Sequence, residues 1–319
     1  MPGPDSPRPL DAAGLAGAVL CCALWGGNAV AAKFCIADGA LPPIGGAALR
    51  FAISLPVVAW VCARGGTGFS RPRRDWWLIA VHGVFTAIQI GTFNWGTSHS
   101  EAGRSSVFIN IHPLVVAPLA WLLLGEHLGT RGVLGLGSAA IGVAVILAKQ
   151  LRLGGGLVGD LVVLCSGLVF GIQTIAQKLT FPRVPARTLL FTQSIVALAL
   201  TTAYSLAVEG TGSYHFTREA VWGVLYQGLA SSGVCFSLWI VLLGRYPAGR
   251  LATVAFLTPL FGIGLGTLIR GEPFTTPLVV GAGLVGTGIY LVATGRPAVQ
   301  AAATPVVADR LAAATGPRS

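Results

Sequence analysis

The chain has 319 residues, 54% of them hydrophobic and 10% charged, with a mean hydropathy of +0.75. Soluble domains carry about a quarter charged residues, so this composition excludes an ordinary water-facing surface and makes membrane spans the natural unit. The net charge of +10 is spread as single Lys and Arg residues between apolar runs. That pattern points away from nucleic acid and towards a membrane protein with a positive-inside bias.

The first twelve residues, MPGPDSPRPLDA, are polar and Pro-rich, and no small-residue cleavage site follows. The first apolar run therefore reads as a retained span. About 20 apolar residues cross the hydrocarbon core. Ten stretches qualify, at 14–35, 42–63, 76–97, 104–125, 131–149, 157–178, 187–208, 220–243, 249–270 and 276–295. The breaks between them carry turn residues and charge, as in ADGALPP at 37–43 and RGGTGFSRPRRD at 64–75. The Ala/Pro/Thr-rich tail after Arg296 is expected to be disordered. With the N-terminus inside, the inner links hold nine Lys and Arg residues and the outer links five, so both termini are expected on the cytoplasmic side of the cell membrane. The six cysteines form no C-x-x-C pair and have no His cluster near them, which offers neither disulfide nor metal chemistry.

The second half repeats the first. LWGGNAVAAKF (24–34) aligns with VFGIQTIAQKL (169–179) at an offset of 145, pairing Trp25 with Phe170, Asn28 with Gln173 and Lys33 with Lys178. At an offset of 146, AGR at 102–104 meets AGR at 248–250, Pro113 meets Pro259 and Glu126 meets Glu272. Five spans per repeat is an odd number, so the second copy enters the membrane from the opposite side. The expected fold is an all-α integral membrane protein of ten transmembrane helices in two inverted five-helix repeats, an architecture that secondary transporters use for alternating access. The expected units are a tail at 1–13, repeats at 14–150 and 151–296, and a second tail at 297–319.

The chain resembles the EamA-type branch of the drug/metabolite transporter superfamily. LWGGNAVAAKF is similar to that family's opening motif, and Pro43 with Arg50 and Phe51 to its second span. HPLVVAPLAWLLLGEHL (112–128) and TPLFGIGLGTLIRGEPF (258–274) are similar to its Pro-to-Gly-Glu signature, once in each repeat. The resemblance covers about residues 14–295. It implies a bacterial inner-membrane transporter, commonly an exporter of amino acids, related metabolites or drugs, with no ATPase; no G-x-x-x-x-G-K-[ST] occurs. Two departures, Phe170 where Trp is usual and Phe274 closing GEPF, bear on which substrate fits.

Polar groups inside spans are costly unless partnered or beside water, so each is a candidate site residue. The substrate-binding candidates are Trp25, Asn28, Gln89, Asn94, Asn110, His112, Gln173, Tyr226, Gln227 and Ser231. Trp25 and Asn28 share a helix face, and Gln173 is the repeat mate of Asn28; the amides either meet the solute or only pack helices together, at ~0.6 kcal/mol each. Pro113 and Pro259 are the candidate hinges, since each leaves a carbonyl one turn earlier without its donor. His112 reads as a proton-coupling group or as a histidine satisfied by a carbonyl. Lys33 and Lys178 read as residues reaching for the interface or as contacts for a substrate carboxylate. Arg50 reads as a partner of a helix end or an acid. No catalytic, metal or cofactor site is expected.

These features favour a secondary transporter moving a small metabolite, as an exporter, with protons as a candidate coupling ion. An uptake permease of the same fold, a lipid flippase and a membrane-embedded non-transport protein are the alternatives. The spans lack H-E-x-x-H and paired Asp, which argues against intramembrane hydrolysis.

Overall fold

The computed structural model describes residues 10–64, 73–100, 102–126, 129–151, 157–270 and 276–294. Most of the N-terminal tail, the 65–72 loop, the stretch 271–275 with Glu272 and Phe274, and the C-terminal tail lie outside the described residues. Within them, every regular element is helical.

The first span is two helices, α1 (Ala12–Gly26) and α2 (Asn28–Ile36), and α3 (Pro43–Ala63) and α4 (Arg73–Ser98) follow as the second and third. The fourth is again split, into α5 (Ala102–Ile109) and α6 (His112–Leu124), and α7 (Thr130–Leu151) closes the first repeat. In the second repeat, α8 (Leu157–Thr180) and α9 (Ala186–Tyr204) are followed by α10 (Arg218–Leu225), a π-helical stretch over Tyr226–Cys235, and α11 (Phe236–Arg245). The split pair α12 (Ala248–Ala255) and α13 (Thr258–Arg270) precedes α14 (Thr276–Thr294). Seven of these stretches, from Ala12–Ile36 to Ala248–Ile269, are long and apolar enough to cross a membrane; His112–Leu124 and Val279–Gly288 are shorter apolar helices. With α7 they make up the ten crossings.

The outward faces are lined by apolar residues such as Leu122, Val133, Leu161, Val208 and Leu268, each more than half exposed. In a bilayer this is the lipid-facing surface, so its exposure carries no penalty. Exposed aromatics gather at span ends: Trp60, Trp76 and Trp77 around the α3–α4 turn, and Phe216 and Trp222 at the start of α10. They mark the two interfaces where amphipathic rings are favoured.

Repeat mates pack on each other in reverse. A Cβ added at Gly142 of α7 would lie 2.6 Å from the Gly281 oxygen of α14, and one added at Gly288 would lie 2.5 Å from the Gly135 oxygen. These are two contacts related by the repeat symmetry, because Gly135 and Gly281, and Gly142 and Gly288, are mates. Between them Ser138 Oγ donates to the Leu284 oxygen at 2.8 Å, again between mates. As residue numbers rise along α7, those of their partners fall along α14. The two helices are therefore antiparallel about a local two-fold axis, which is the inversion the odd span count demands. Glycine at these places lets the backbones touch, the usual basis of helix association in lipid.

The split spans also match. Ile111 N donates to the Phe108 oxygen at 3.2 Å and Leu114 N to the Ile111 oxygen at 2.9 Å. Their mates repeat this, with Leu257 N to the Val254 oxygen at 3.0 Å and Leu260 N to the Leu257 oxygen at 3.1 Å. Pro113 and Pro259 thus stand in the first turn of a new helix, where a missing N–H costs least, and each break lies just before its proline. The continuous fourth and ninth helices expected from the sequence are instead pairs of half-helices.

Candidate functional site

The buried polar residues converge on a cavity between the two repeats. The first repeat contributes Trp25, Asn28, Arg50, Gln89, Asn110 and His112; the second contributes Phe170, Phe236 and Thr258. Its volume is about 50 Å³. At ~10–15 Å³ per water it has room for about four waters. A larger groove of about 490 Å³ lies between α4, α8 and α9, but Val84, Ile88, Leu200 and Tyr204 on its wall face lipid, and its lining is almost wholly apolar. Its polar side chains, Thr92, Trp95, Thr201 and Tyr204, include no charged or amide group, so the small central cavity is the better candidate.

Two local distortions shape that cavity. Gly27 interrupts the first span because the Tyr226 hydroxyl occupies its flank: a Cβ there would sit 2.4 Å from that oxygen. The hydroxyl donates to the Leu24 oxygen at 2.8 Å, the carbonyl that residue 28 would use in an unbroken helix. Trp25 and Asn28, expected on one continuous helix face, therefore come from two segments, yet both reach the cavity. The second distortion is the π-helical stretch over Tyr226–Cys235, whose wider turn brings Gln227, Ser231 and Ser232 inward together, all essentially buried.

Arg50 is the one charge among the cavity's lining side chains, and it is only 1% exposed. Its Nε donates to Ser232 Oγ, its Nη2 donates to Ser231 Oγ at 3.0 Å, and its guanidinium stands 5.6 Å from the Phe236 ring centre. Nη1 has no partner among the described residues, and no carboxylate pairs with the group there. The expectation of a helix-end or acidic partner is corrected: hydroxyls of the π-helical stretch hold it. A charge at the centre of a span costs about 2.5–3.5 kcal/mol, and hydrogen bonds to a charged group are worth about 1.5–3 each. The two hydroxyls hold the guanidinium in place and leave its charge unneutralised.

On the same cavity, His112 Nδ1 faces the Ile109 oxygen at 3.3 Å. A carbonyl can only accept, which assigns the proton to Nδ1 and leaves Nε2 as an acceptor. Nε2 has no partner among the described residues. Asn110 Nδ2 donates to the Ser106 oxygen at 2.5 Å. Trp25 packs edge-on against Phe170 at 5.8 Å and Phe236 at 5.7 Å, forming an aromatic wall.

The other sequence candidates fall around this centre. Gln227 Nε2 bridges to Asn28 Oδ1 at 3.3 Å and Asn94 Oδ1 at 3.4 Å, so these three form one amide cluster behind the cavity. Gln89 lines the cavity and an adjoining small pocket, and its Nε2 donates to Ser166 Oγ at 3.2 Å. Gln173 lines only that second pocket and donates to Thr86 Oγ1 at 2.6 Å. The mates Asn28 and Gln173 thus border separate pockets, with Phe170 and Phe236 bordering both. Tyr226 acts through the Leu24 carbonyl, and Ser231 through Arg50. Phe236 and Thr258 were not singled out from the sequence; an aromatic or a threonine in an apolar run carries no local mark of its role.

Contacts between the repeats tie both ends of the bundle. At the end where α1 starts, Lys178 Nζ lies 3.7 Å from Glu126 Oε1 and donates to the Leu243 oxygen at 2.8 Å and to the Tyr246 oxygen. Glu126 Oε2 accepts from Gly249 N at 2.9 Å. Lys178, read as snorkelling or substrate-binding, is instead part of this inter-repeat tie. At the opposite end, Glu209 of the second repeat accepts from Ile44 N at 2.9 Å and Gly45 N at 2.8 Å, capping α3 of the first.

The sequence pattern of the EamA-like transporter family matches twice, over residues 12–148 and 157–294. A "Probable amino-acid metabolite efflux pump" of Salmonella typhimurium is 24% identical, over 86% of this chain and 92% of its own length. A "Probable terminal-alkyne amino-acid exporter" of Streptantibioticus cattleyicolor is 27% identical over 75% and 81%. "Uncharacterized transporter YoaV" of Bacillus subtilis is 25% identical over 63% and 70%. A solved crystal structure superposes with a TM-score of 0.73 at 18% identity, covering 88% of this chain and 98% of that one, a likeness of fold. Two matched repeats and two inverted bundles agree on one conclusion: this chain is a membrane protein of the EamA-like transporter family.

Proposed function

We propose that the protein is a secondary exporter of a small amino-acid-like metabolite, working by alternating access across the bacterial cytoplasmic membrane with both termini inside. The observation that carries this reading is the cavity bordered by side chains of both repeats, with separate inter-repeat ties towards either end of the bundle. Releasing the Lys178–Glu126 end would open the cavity to one face, and releasing the Glu209 end would open it to the other. The half-helix breaks before Pro113 and Pro259 are the hinges in this scheme, since turns held by isolated i→i+3 bonds bend more readily than an unbroken helix. The moving units are the repeats at 14–150 and 151–296. Export of an amino acid is favoured over uptake by the names that two relatives carry, and the chemistry belongs to transport rather than catalysis.

Protons are the proposed coupling ion, with His112 as the group that takes one up from the cavity. The test is uptake of labelled amino acids into inside-out vesicles, with and without a pH gradient. Gradient-dependent accumulation that vesicles without the protein lack is the expected result. Absence of flux for every amino acid and metabolite tried would overturn the exporter reading.

A further inference from the structure

We infer that Arg50 is the anion anchor of the transport site, and that the solute is therefore a carboxylate carrying a compact apolar or aromatic group. The inference rests on the transport reading above. Four observations lead to it. Arg50 is buried and lines the cavity, and its guanidinium is held by Ser231 and Ser232 without being neutralised and keeps Nη1 without a partner among the described residues. A buried charge is normally matched by a counter-charge or a ligand. A planar guanidinium with an unused donor suits a carboxylate oxygen, and its orientation is already fixed by the two hydroxyls.

The rest of the cavity sorts into parts that fit such a solute. His112 Nε2 is a lone-pair acceptor without a partner among the described residues, so it can serve an α-ammonium group. Trp25, Phe170 and Phe236 form an aromatic wall that takes the apolar remainder. The charge is supplied by one repeat alone. At either register of the internal alignment the mate of Arg50 is aliphatic, Ile195 or Val196. A two-fold scaffold thus holds a one-sided site, which gives the solute a single orientation, carboxylate towards α3 and the π-helical stretch. Ser231 and Ser232 act as positioning residues in this arrangement, reaching solute only through the guanidinium.

The experiment is competition in the vesicle assay on the unaltered chain, using matched series of one side chain: the free amino acid, its primary amide, and the amine without the carboxyl group. The free acids are expected to compete at least about tenfold better than amides and amines, because a hydrogen bond to a charged group is lost. Arg50→Gln is expected to abolish that preference and Arg50→Lys to retain part of it, at membrane abundance measured alongside. Ser231→Ala with Ser232→Ala is expected to weaken binding of acids while leaving amines unchanged. Robust flux in which amides or amines compete as well as acids would overturn the anchor while leaving the transporter standing. Flux of acids that survives unchanged in a well-expressed Arg50→Gln protein would do the same. Absence of flux for every compound would instead overturn the exporter reading on which the anchor rests.

Discussion

The tie at Glu209 can be tested in magnitude. α3 begins after Pro42, which offers no side-chain cap, so its first N–H groups depend on a carboxylate from the other repeat. Ser205 Oγ donates to the same carboxylate at 2.6 Å. Loss of an ordinary cap costs about 0.5–2 kcal/mol, and a charged acceptor taking two N–H groups at the positive end of a helix sits at the upper end. The residue is half-buried, so about 2 kcal/mol is the working figure for Glu209→Ala, and about half that for Glu209→Gln, which keeps one acceptor. Because the bond joins the repeats, its loss falls on the closed arrangement rather than on either bundle. A shift of 2 kcal/mol raises the population open at this end about 30-fold.

The assay is labelling of Ala29→Cys, on the cavity wall, by a small impermeant thiol reagent in a chain whose six native cysteines are replaced. From the Glu209 face, labelling should quicken about 30-fold in Glu209→Ala and several-fold in Glu209→Gln, with no change from the other face. If Glu209→Ala lowers thermal stability while labelling stays as in the parent, the carboxylate is a helix cap only and the gate reasoning is refuted.

Other predictions follow from the same geometry. Glu126→Gln should quicken labelling from the α1 end and leave the Glu209 face unchanged; equal change at both faces would mean general loosening. Tyr226→Phe removes the donor to the Leu24 oxygen and should cost about 1 kcal/mol of stability while reducing flux several-fold; unchanged flux would mean the first-span break is incidental. Gly26→Val should lower folded yield, since even a Cβ there would meet Phe261 Cβ at 2.6 Å and Gly262 N at 2.8 Å; wild-type yield would contradict the tight α1–α13 crossing. Asn28→Ala should reduce flux more than Gln173→Ala, because only the former lines the central cavity; equal effects would argue that the two pockets act as one.

The repeat, the ten spans and the inversion were legible in the sequence because they rest on long patterns: apolar length, odd span number and an offset that drifts by one residue. The breaks were less so. Trp25 and Asn28 keep helical spacing across Gly27, and what splits the span is a hydroxyl about two hundred residues away. The π-helical stretch leaves no readable trace in hydrophobic period, since about one extra residue per turn over ten residues mixing apolar and small polar side chains shifts no clear stripe. Arg50 was visible as an intramembrane charge, but its hydroxyl partners lie 181 and 182 residues further along, and only packing joins them. The amide pair Asn28 and Gln173 showed the limit of symmetry as a guide, since mates in sequence border different pockets once the first span is broken and the sixth is not.

The most direct measurement is access to one cavity position from both faces. Ser106→Cys, in the cysteine-replaced chain, borders the central cavity, and should react with impermeant reagents applied from either side of sealed vesicles. Saturating solute should suppress both reactions together. Reaction from one face alone, under every gradient and solute condition, would contradict alternating access.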